Sequence, residues 1–119
     1  MRVLVCGTGA GVFTMFVRQH FDLEQLVTVD VNPDMLRVAH DHFGFHEDAV
    51  IESKIADAYE FVKSTAPESF DMIFMDVNYE EGDTKVSPPL KFFDADFIQQ
   101  VHTIAKPKAL IAFNTIIDQ

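Results

Sequence analysis

Short apolar runs alternate along the chain with stretches whose apolar residues recur every three or four positions. Such alternation predicts strands and helices in turn, the pattern of a parallel sheet wrapped by helices. Arg2 to Cys6 is a continuous β-prone string, as a strand buried on both faces requires. Beyond a glycine-rich turn, Val12, Phe13, Phe16, Val17 and Phe21 fall at helical spacing. Leu26 to Asp30 reads as the second strand. Asn32 and Pro33 then open a helix, as cap and first-turn residue. Its apolar face is Met35, Leu36, Val38, Ala39 and Phe43, and Gly44 closes it. Val50 to Ile55 is a weaker third strand, followed by a helix from Ala58 to Ser64 and a strongly apolar fourth strand from Phe70 to Val77. Asn78 to Phe93 reads as a loop with an acidic stretch and Pro88-Pro89. A helix from Asp94 to Ala105 puts Phe97, Ile98, Val101 and Ile104 on one face, and Leu110 to Ile117 is the fifth strand. The Phe-rich helix faces read as core.

Five strands and four helices in strict alternation, joined by right-handed crossovers, leave few topologies. The expected fold is α/β, a three-layer doubly wound Rossmann-like parallel sheet of strand order 3-2-1-4-5. Its ligand crevice would lie at the carboxyl ends of strands 1 and 4. At 119 residues the chain is one domain, and a 48% hydrophobic share with 24% charged residues makes it globular. No apolar run approaches the roughly 20 residues that cross a bilayer, so no membrane partner is expected. With a strand expected to begin at Arg2, no signal peptide is expected. Nineteen acids against nine Lys and Arg give a net charge of −10, which argues against a nucleic-acid partner. It fits a small molecule or a basic protein, though the same charge also serves solubility alone. Cys6 is the only cysteine, so no internal disulfide or cysteine-based zinc site exists. A reducing compartment, the cytoplasm, is expected.

The candidate site lies where the strands end. Gly7-Thr8-Gly9-Ala10-Gly11 joins a buried strand to a helix; glycines allow a tight turn and a close approach of ligand to backbone. The helix behind it offers unpaired N–H groups to a carboxylate or phosphate; the alternative is a glycine turn that only packs helix on strand. Asp30, closing the second strand, can accept both ribose hydroxyls of a nucleoside. Asp57 is placed for the exocyclic amine of an adenine, or as cap of the helix that starts at Ala58. Asp76 ends the apolar fourth strand beside the glycine loop, where a reacting centre would sit. His40, Asp41, His42 and His46 invite a metal reading. Two histidines two apart on a helix point to different sides, so no metal is expected.

The dinucleotide fingerprint G-x-G-x-x-G has Val12 at its last position here, and the spacing is G-x-G-x-G instead. The segments V-L-V-C-G-T-G-A-G, V-T-V-D, I-A-D-A and D-M-I-F-M-D-V resemble the successive motifs of class I S-adenosylmethionine-dependent methyltransferases across nearly the whole chain. The resemblance implies S-adenosylmethionine as cofactor, with Gly7, Gly9 and Gly11 at the methionine moiety, Asp30 at the ribose, Asp57 and Ala58 at the adenine, and Thr8, Val31 and Asp76 as further cofactor-binding residues. Most of that superfamily has an acid where this chain has Val5, a departure it shares with the spermidine synthases. D-H-F-G-F at 41–45, and S-P-P before F-F-D-A-D-F, resemble more closely the spermidine-synthase-like C-terminal domains of methyltransferases acting on elongation factor 1-alpha. Polyamine enzymes carry a second acid where this chain has Tyr79.

The resemblance implies methyl transfer to an amine, a protein lysine or N-terminal amine, or a small-molecule amine, with Asp76 and then Tyr79 as catalytic candidates. A spermidine-synthase-like aminopropyltransferase and a non-catalytic cofactor-binding remnant are the alternatives. The full class I fold has two further strands, so residues 1–119 are expected to be an incomplete cofactor-binding core, a fragment or a domain that forms a homodimer.

Overall fold

β1 (Arg2–Cys6) lies at the centre of a five-stranded parallel sheet in the computed structural model, which describes residues 1–8, 11–76, 86–87, 94–114 and 116–117. It pairs with β2 (Gln25–Asp30) on one side, from Arg2 opposite Gln25 to Cys6 opposite Val29. On the other side it pairs with β4 (Phe70–Met75), from Val3 opposite Met72 to Cys6 opposite Met75. β3 (Ile51–Ile55) extends the sheet beyond β2, and β6 (Ala105–Phe113) beyond β4. The order β3-β2-β1-β4-β6 is the expected 3-2-1-4-5, with β6 as the fifth strand of the main sheet. Val3, Leu4, Val5 and Cys6 are all buried, as are Leu26, Val27 and Val29, because helices cover the central strands on both faces.

α1 (Val12–His20) and α2 (Pro33–His42) lie on one face. There Val17 and Ala39 join Val3, Val5, Leu26 and Ile51. α3 (Ala58–Ser64) and α4 (Ala95–Ile104) lie on the other, with Val62, Phe97, Val101 and Ile104 packed on Leu4, Val27, Val29 and Ile73. Each fully buried aliphatic side chain of this kind contributes roughly 1.5–3 kcal/mol. Three helices are capped by their own sequence. Asn32 accepts from the Asp34 N–H at 2.9 Å with Pro33 next in line, Asp57 from Tyr59 at 2.9 Å, and Asp94 from Asp96 at 3.2 Å.

Three expectations need correction. The run from Leu110 to Ile117 is not one strand. β6 stops at Phe113, and Ile116–Ile117 forms a separate strand, β7, antiparallel to β5 (Val86–Ser87) inside the expected loop. Ala105 is not helical: it is extended and pairs with Phe70. The N–H groups of Glu68 and Ser69 bond the Thr103 and Ile104 carbonyls at 2.9 and 2.7 Å and so end α4. The pairing then jumps to Met72 opposite Leu110, so 106–109 bulge outward, with Lys108 at φ 68°.

The third correction concerns the Phe-rich face of α1. Thr14 and Val17, not the phenylalanines, are the buried residues of this helix. Phe13 is 41% exposed and Phe16 51% exposed. Phe13 meets Phe74 edge-on at 4.8 Å, and Phe16 stacks on His20 at 4.2 Å. Leu110, beside Met72 on this same face, is 54% exposed. Phe16 and Leu110 thus remain largely exposed on the α1 side, while Phe13 reaches over Phe74 of β4. Periodicity marks an apolar stripe but not the neighbour that would bury it.

The glycine loop is held from the side. Gly11 has φ 80°, and a Cβ there would stand 2.6 Å from the Phe45 ring. Phe45 itself is buried, because Gly44, at φ 68°, turns the chain so that the Phe45 N–H returns to the Ala39 carbonyl at 3.1 Å. The segment 41–45 therefore wedges an aromatic ring against the start of α1.

Two outcomes follow. Gly11→Ala combines a left-handed backbone with a clash, so it is expected to lower stability by about 1–3 kcal/mol. A thermal melt unchanged from that of the unsubstituted chain would remove Phe45 as the wedge. Burial pushes the Cys6 thiol up from 9.0 to about 12. Only a thiolate alkylates, so the native chain at pH 8 should resist iodoacetamide while the chain in guanidinium reacts. Equal labelling rates would contradict this burial. The folded state holds that proton more tightly. Its contribution to stability is therefore complete below pH 9.0 and is lost as pH rises toward about 12.

Candidate functional site

Because the strands of the main sheet are parallel, their carboxyl ends emerge along one rim, and hydrogen bonds continue past the strands to hold that rim together. Gly7 donates to the Val29 carbonyl at 2.7 Å, Asp76 to Cys6 at 2.8 Å, Ala56 to Asp30 at 2.9 Å and Asn114 to Met75 at 2.9 Å. α1 returns the chain on one face and α3 on the other, so the crossovers diverge between β1 and β4. A crevice opens at such a switch point.

On the β1 side, Gly7 and Gly11 both have positive φ, at 100° and 80°, and the Gly11 N–H closes the turn onto the Thr8 carbonyl at 2.9 Å. Gly11 is also the N-cap of α1 and has no side chain to occupy the first N–H groups of the helix. That end of the helix is therefore disposed to receive a negatively charged group. Thr8 is turned inward. Its hydroxyl lies 2.6 Å from that of Thr28, and its N–H donates to Asp30 Oδ2 at 3.1 Å. The other oxygen of Asp30 accepts from the Asn32 N–H at 2.9 Å. Backbone donors from two connections thus fix the Asp30 carboxylate at the rim.

Val31 follows, 46% exposed, an apolar side chain beside that carboxylate. Asp57 sits above β3 and caps α3 through the Tyr59 N–H, so its capping role is realised. Ala58, the first residue of α3, is buried, and what it can offer a ligand is its backbone. Asp76 stands across the switch point from the glycine loop, half-buried, with Oδ1 accepting from Asn114 Nδ2 at 3.0 Å. Gly7, Thr8, Gly11, Asp30, Val31, Asp57, Ala58 and Asp76 thus share one rim. Gly9 and Tyr79 lie outside the described residues.

Asn114 is the residue at this rim that reading the sequence missed. Its signal was a lone amide interrupting the apolar run I-A-F-N-T-I-I. Among the described residues no three His, Cys, Asp or Glu gather as metal ligands. His40 lies edge-on to Phe45 at 5.5 Å instead. A hollow of about 570 Å³ opens at the opposite end of the sheet, between Pro67, His102 and Lys106. It is bounded by the carboxyl end of α4 and shares none of the strand-end residues, so it is separate from the rim.

Comparison with known proteins agrees with this geometry. The chain is similar to the eEF1A lysine and N-terminal methyltransferase of Mus musculus, 32% identical over 120 residues; the match covers 98% of this chain and 17% of that protein. The Homo sapiens protein of the same name is 30% identical over 122 residues, again with 98% of this chain covered and 18% of that protein. The chain therefore spans less than a fifth of the length of these relatives. Among solved structures, human methyltransferase-like protein 13 in complex with SAH superposes with a TM-score of 0.85 at 30% identity, covering 93% of this chain and 52% of that one. A probable spermidine synthase from Corynebacterium glutamicum shares the fold, with a TM-score of 0.79 at 21% identity over 94% of this chain and 39% of that one. Residues 3–108 match the family model described as a methyltransferase domain, and the chain belongs to that family.

Proposed function

We propose that this chain is the cofactor core of an S-adenosylmethionine-dependent methyltransferase whose acceptor is an amine, a protein lysine or N-terminal amine. The observation that carries this reading is Asp76 at the switch point, directly past β4 and tied through its N–H to the carbonyl of Cys6, the residue before Gly7. The fit of the cofactor rests on the rim itself. The side-chain-free start of α1 suits the methionine carboxylate. Asp30 suits the ribose hydroxyls, exposed Val31 a face of the base, and Asp57 with the Ala58 backbone its amine edge. The loop residues Gly7, Thr8, Gly9 and Gly11 would line the methionine side. The relatives named as methyltransferases, and the SAH in the human structure, support the same assignment.

When bound, S-adenosylmethionine supplies a methyl group on a sulfonium. An acceptor arriving as an ammonium would have to give up a proton before its nitrogen lone pair could receive that methyl group, and the residues of this chain would hold the amine and help that proton leave. The chain's part is alignment, worth several kcal/mol and up to about 7–11 in the best cases. Asp76 would hold the incoming ammonium and help proton loss, with Tyr79 the next candidate. A net charge of −10 favours a basic protein segment or an amine over nucleic acid. No helix among the described residues is long and apolar enough to cross a membrane. We place the protein in the cytoplasm. We also infer that two copies pair through the uncovered Phe13, Phe16 and Leu110 face. Sedimentation showing only the chain mass at micromolar concentration would exclude that pairing.

Aminopropyl transfer is the second reading, favoured by the similarity to spermidine synthases; a cofactor-binding scaffold without turnover is the third. Calorimetry and methyl transfer, measured together, separate them. Asp30→Ala is expected to weaken S-adenosylhomocysteine binding about 10–100-fold, the scale of hydrogen bonds to a charged group. Asp76→Ala should retain cofactor affinity within a few fold and lose turnover by about 100-fold or more. Equal loss of both would make Asp76 a cofactor ligand only. Aminopropylation of putrescine, without methylation of any amine, would establish the second reading. Tight binding without any turnover would establish the scaffold.

A further inference from the structure

Asp76 does not stand alone at the switch point. Its Oδ1 accepts from Asn114 Nδ2 at 3.0 Å. Both residues are tied through their backbones to a neighbouring strand, Asp76 to the Cys6 carbonyl and Asn114 to the Met75 carbonyl, at 2.8 and 2.9 Å. They are the first residues past β4 and β6, so the shared register of those strands brings the two side chains together. Asn114 is exposed at the rim, where burial contributes little to the choice of residue.

An amide suits this position for a chemical reason. It is a neutral donor. It can restrict the rotation of a carboxylate without cancelling its charge, as Lys or Arg would. Among the described residues Asp76 has no ion pair with Lys or Arg. A carboxylate gripped at one oxygen by a neutral donor keeps its charge for an arriving ammonium and presents its other oxygen in a set direction.

We propose that Asn114 is a positioning residue for the amine acceptor: it holds Oδ1 of Asp76 so that Oδ2 faces the acceptor nitrogen. This rests on the reading of Asp76 as the acceptor-side carboxylate. Asn114 acts through Asp76 and has no part in holding the cofactor.

The test compares Asn114→Ala, Asn114→Asp and Asn114→Gln with Asp76→Ala, in the whole chain, by acceptor kinetics with an amine-bearing basic peptide and by calorimetry with S-adenosylhomocysteine. Asn114→Ala is expected to lower kcat/KM for the acceptor about tenfold, the scale of one hydrogen bond to a charged group, with cofactor affinity within twofold. Asn114→Asp keeps the shape but replaces the donor with a like charge, so it should be worse than alanine. A role in packing alone demands the reverse order. Asn114→Gln keeps the donor and should recover part of the loss. In the Asp76→Ala background, Asn114→Ala should have no further effect.

Asn114→Asp matching the unsubstituted chain, or cofactor binding falling in step with turnover, overturns the positioning role. If Asp76→Ala abolishes turnover while Asn114→Ala leaves it intact, only this inference falls. If Asp76→Ala retains turnover, or the unsubstituted chain has none, the acceptor reading of Asp76 falls and this inference falls with it.

Discussion

β1 is hydrogen-bonded on both sides, to β2 and to β4, and all three strands run the same way. From that constraint the rest follows. The carboxyl ends of five strands must appear on one rim, so residues far apart in the chain become neighbours there. Glycines after β1, an aspartate at the end of β2, another above β3 and a third after β4 acquire a common purpose only through this pairing. β1 and β2 can occupy the middle of the sheet because they are apolar on both faces. Thr28 is the buried polar residue of these two strands, and its hydroxyl is matched by that of Thr8.

The rim is then stiffened by a small number of contacts. Thr8 and Asn32 direct their N–H groups at Asp30, so the connection after β1 and the connection after β2 share one carboxylate. Phe45 presses on Gly11 from the α2–β3 connection, and the glycine is required both for its left-handed backbone and for the space. Asn114 grips Asp76 from the far side. Each contact links two segments that follow different strands, so the rim does not depend on the rigidity of any single loop. This bears on a reaction in which alignment is the main contribution, since small displacements there cost large factors in rate.

Much of the architecture was legible before any coordinates. The both-face apolar runs of β1 and β2, the Asn32-Pro33 helix start and the glycine loop each state their structure locally. What was not legible depended on neighbours. The spacing of Val12, Phe13 and Phe16 announces an apolar helix face, but whether something covers it is a tertiary fact, and here the helix buries Thr14 and Val17 instead. Ile116 and Ile117 look like the continuation of β6 because they are β-branched, yet they pair elsewhere. Asn114 was hidden in that same run; only the end of β6 at Phe113 gives its side chain a role. Asp57 was readable as either cap or ligand, and the cap is realised through the Tyr59 N–H. D-H-F-G-F was read for its likeness to a family, while its physical content is a left-handed glycine that turns Phe45 inward.

The central claim is that one rim, formed by the strand ends, receives the cofactor. Amide hydrogen exchange of the whole chain, with and without saturating S-adenosylhomocysteine, tests it most directly. Slower exchange is expected at residues 7–11, at 30–32, at 56–59 and around Asp76, with the start of β6 and the end of α4 unchanged. Protection confined to the opposite end of the sheet, near His102 and Lys106, or no protection at all under saturation, would contradict it.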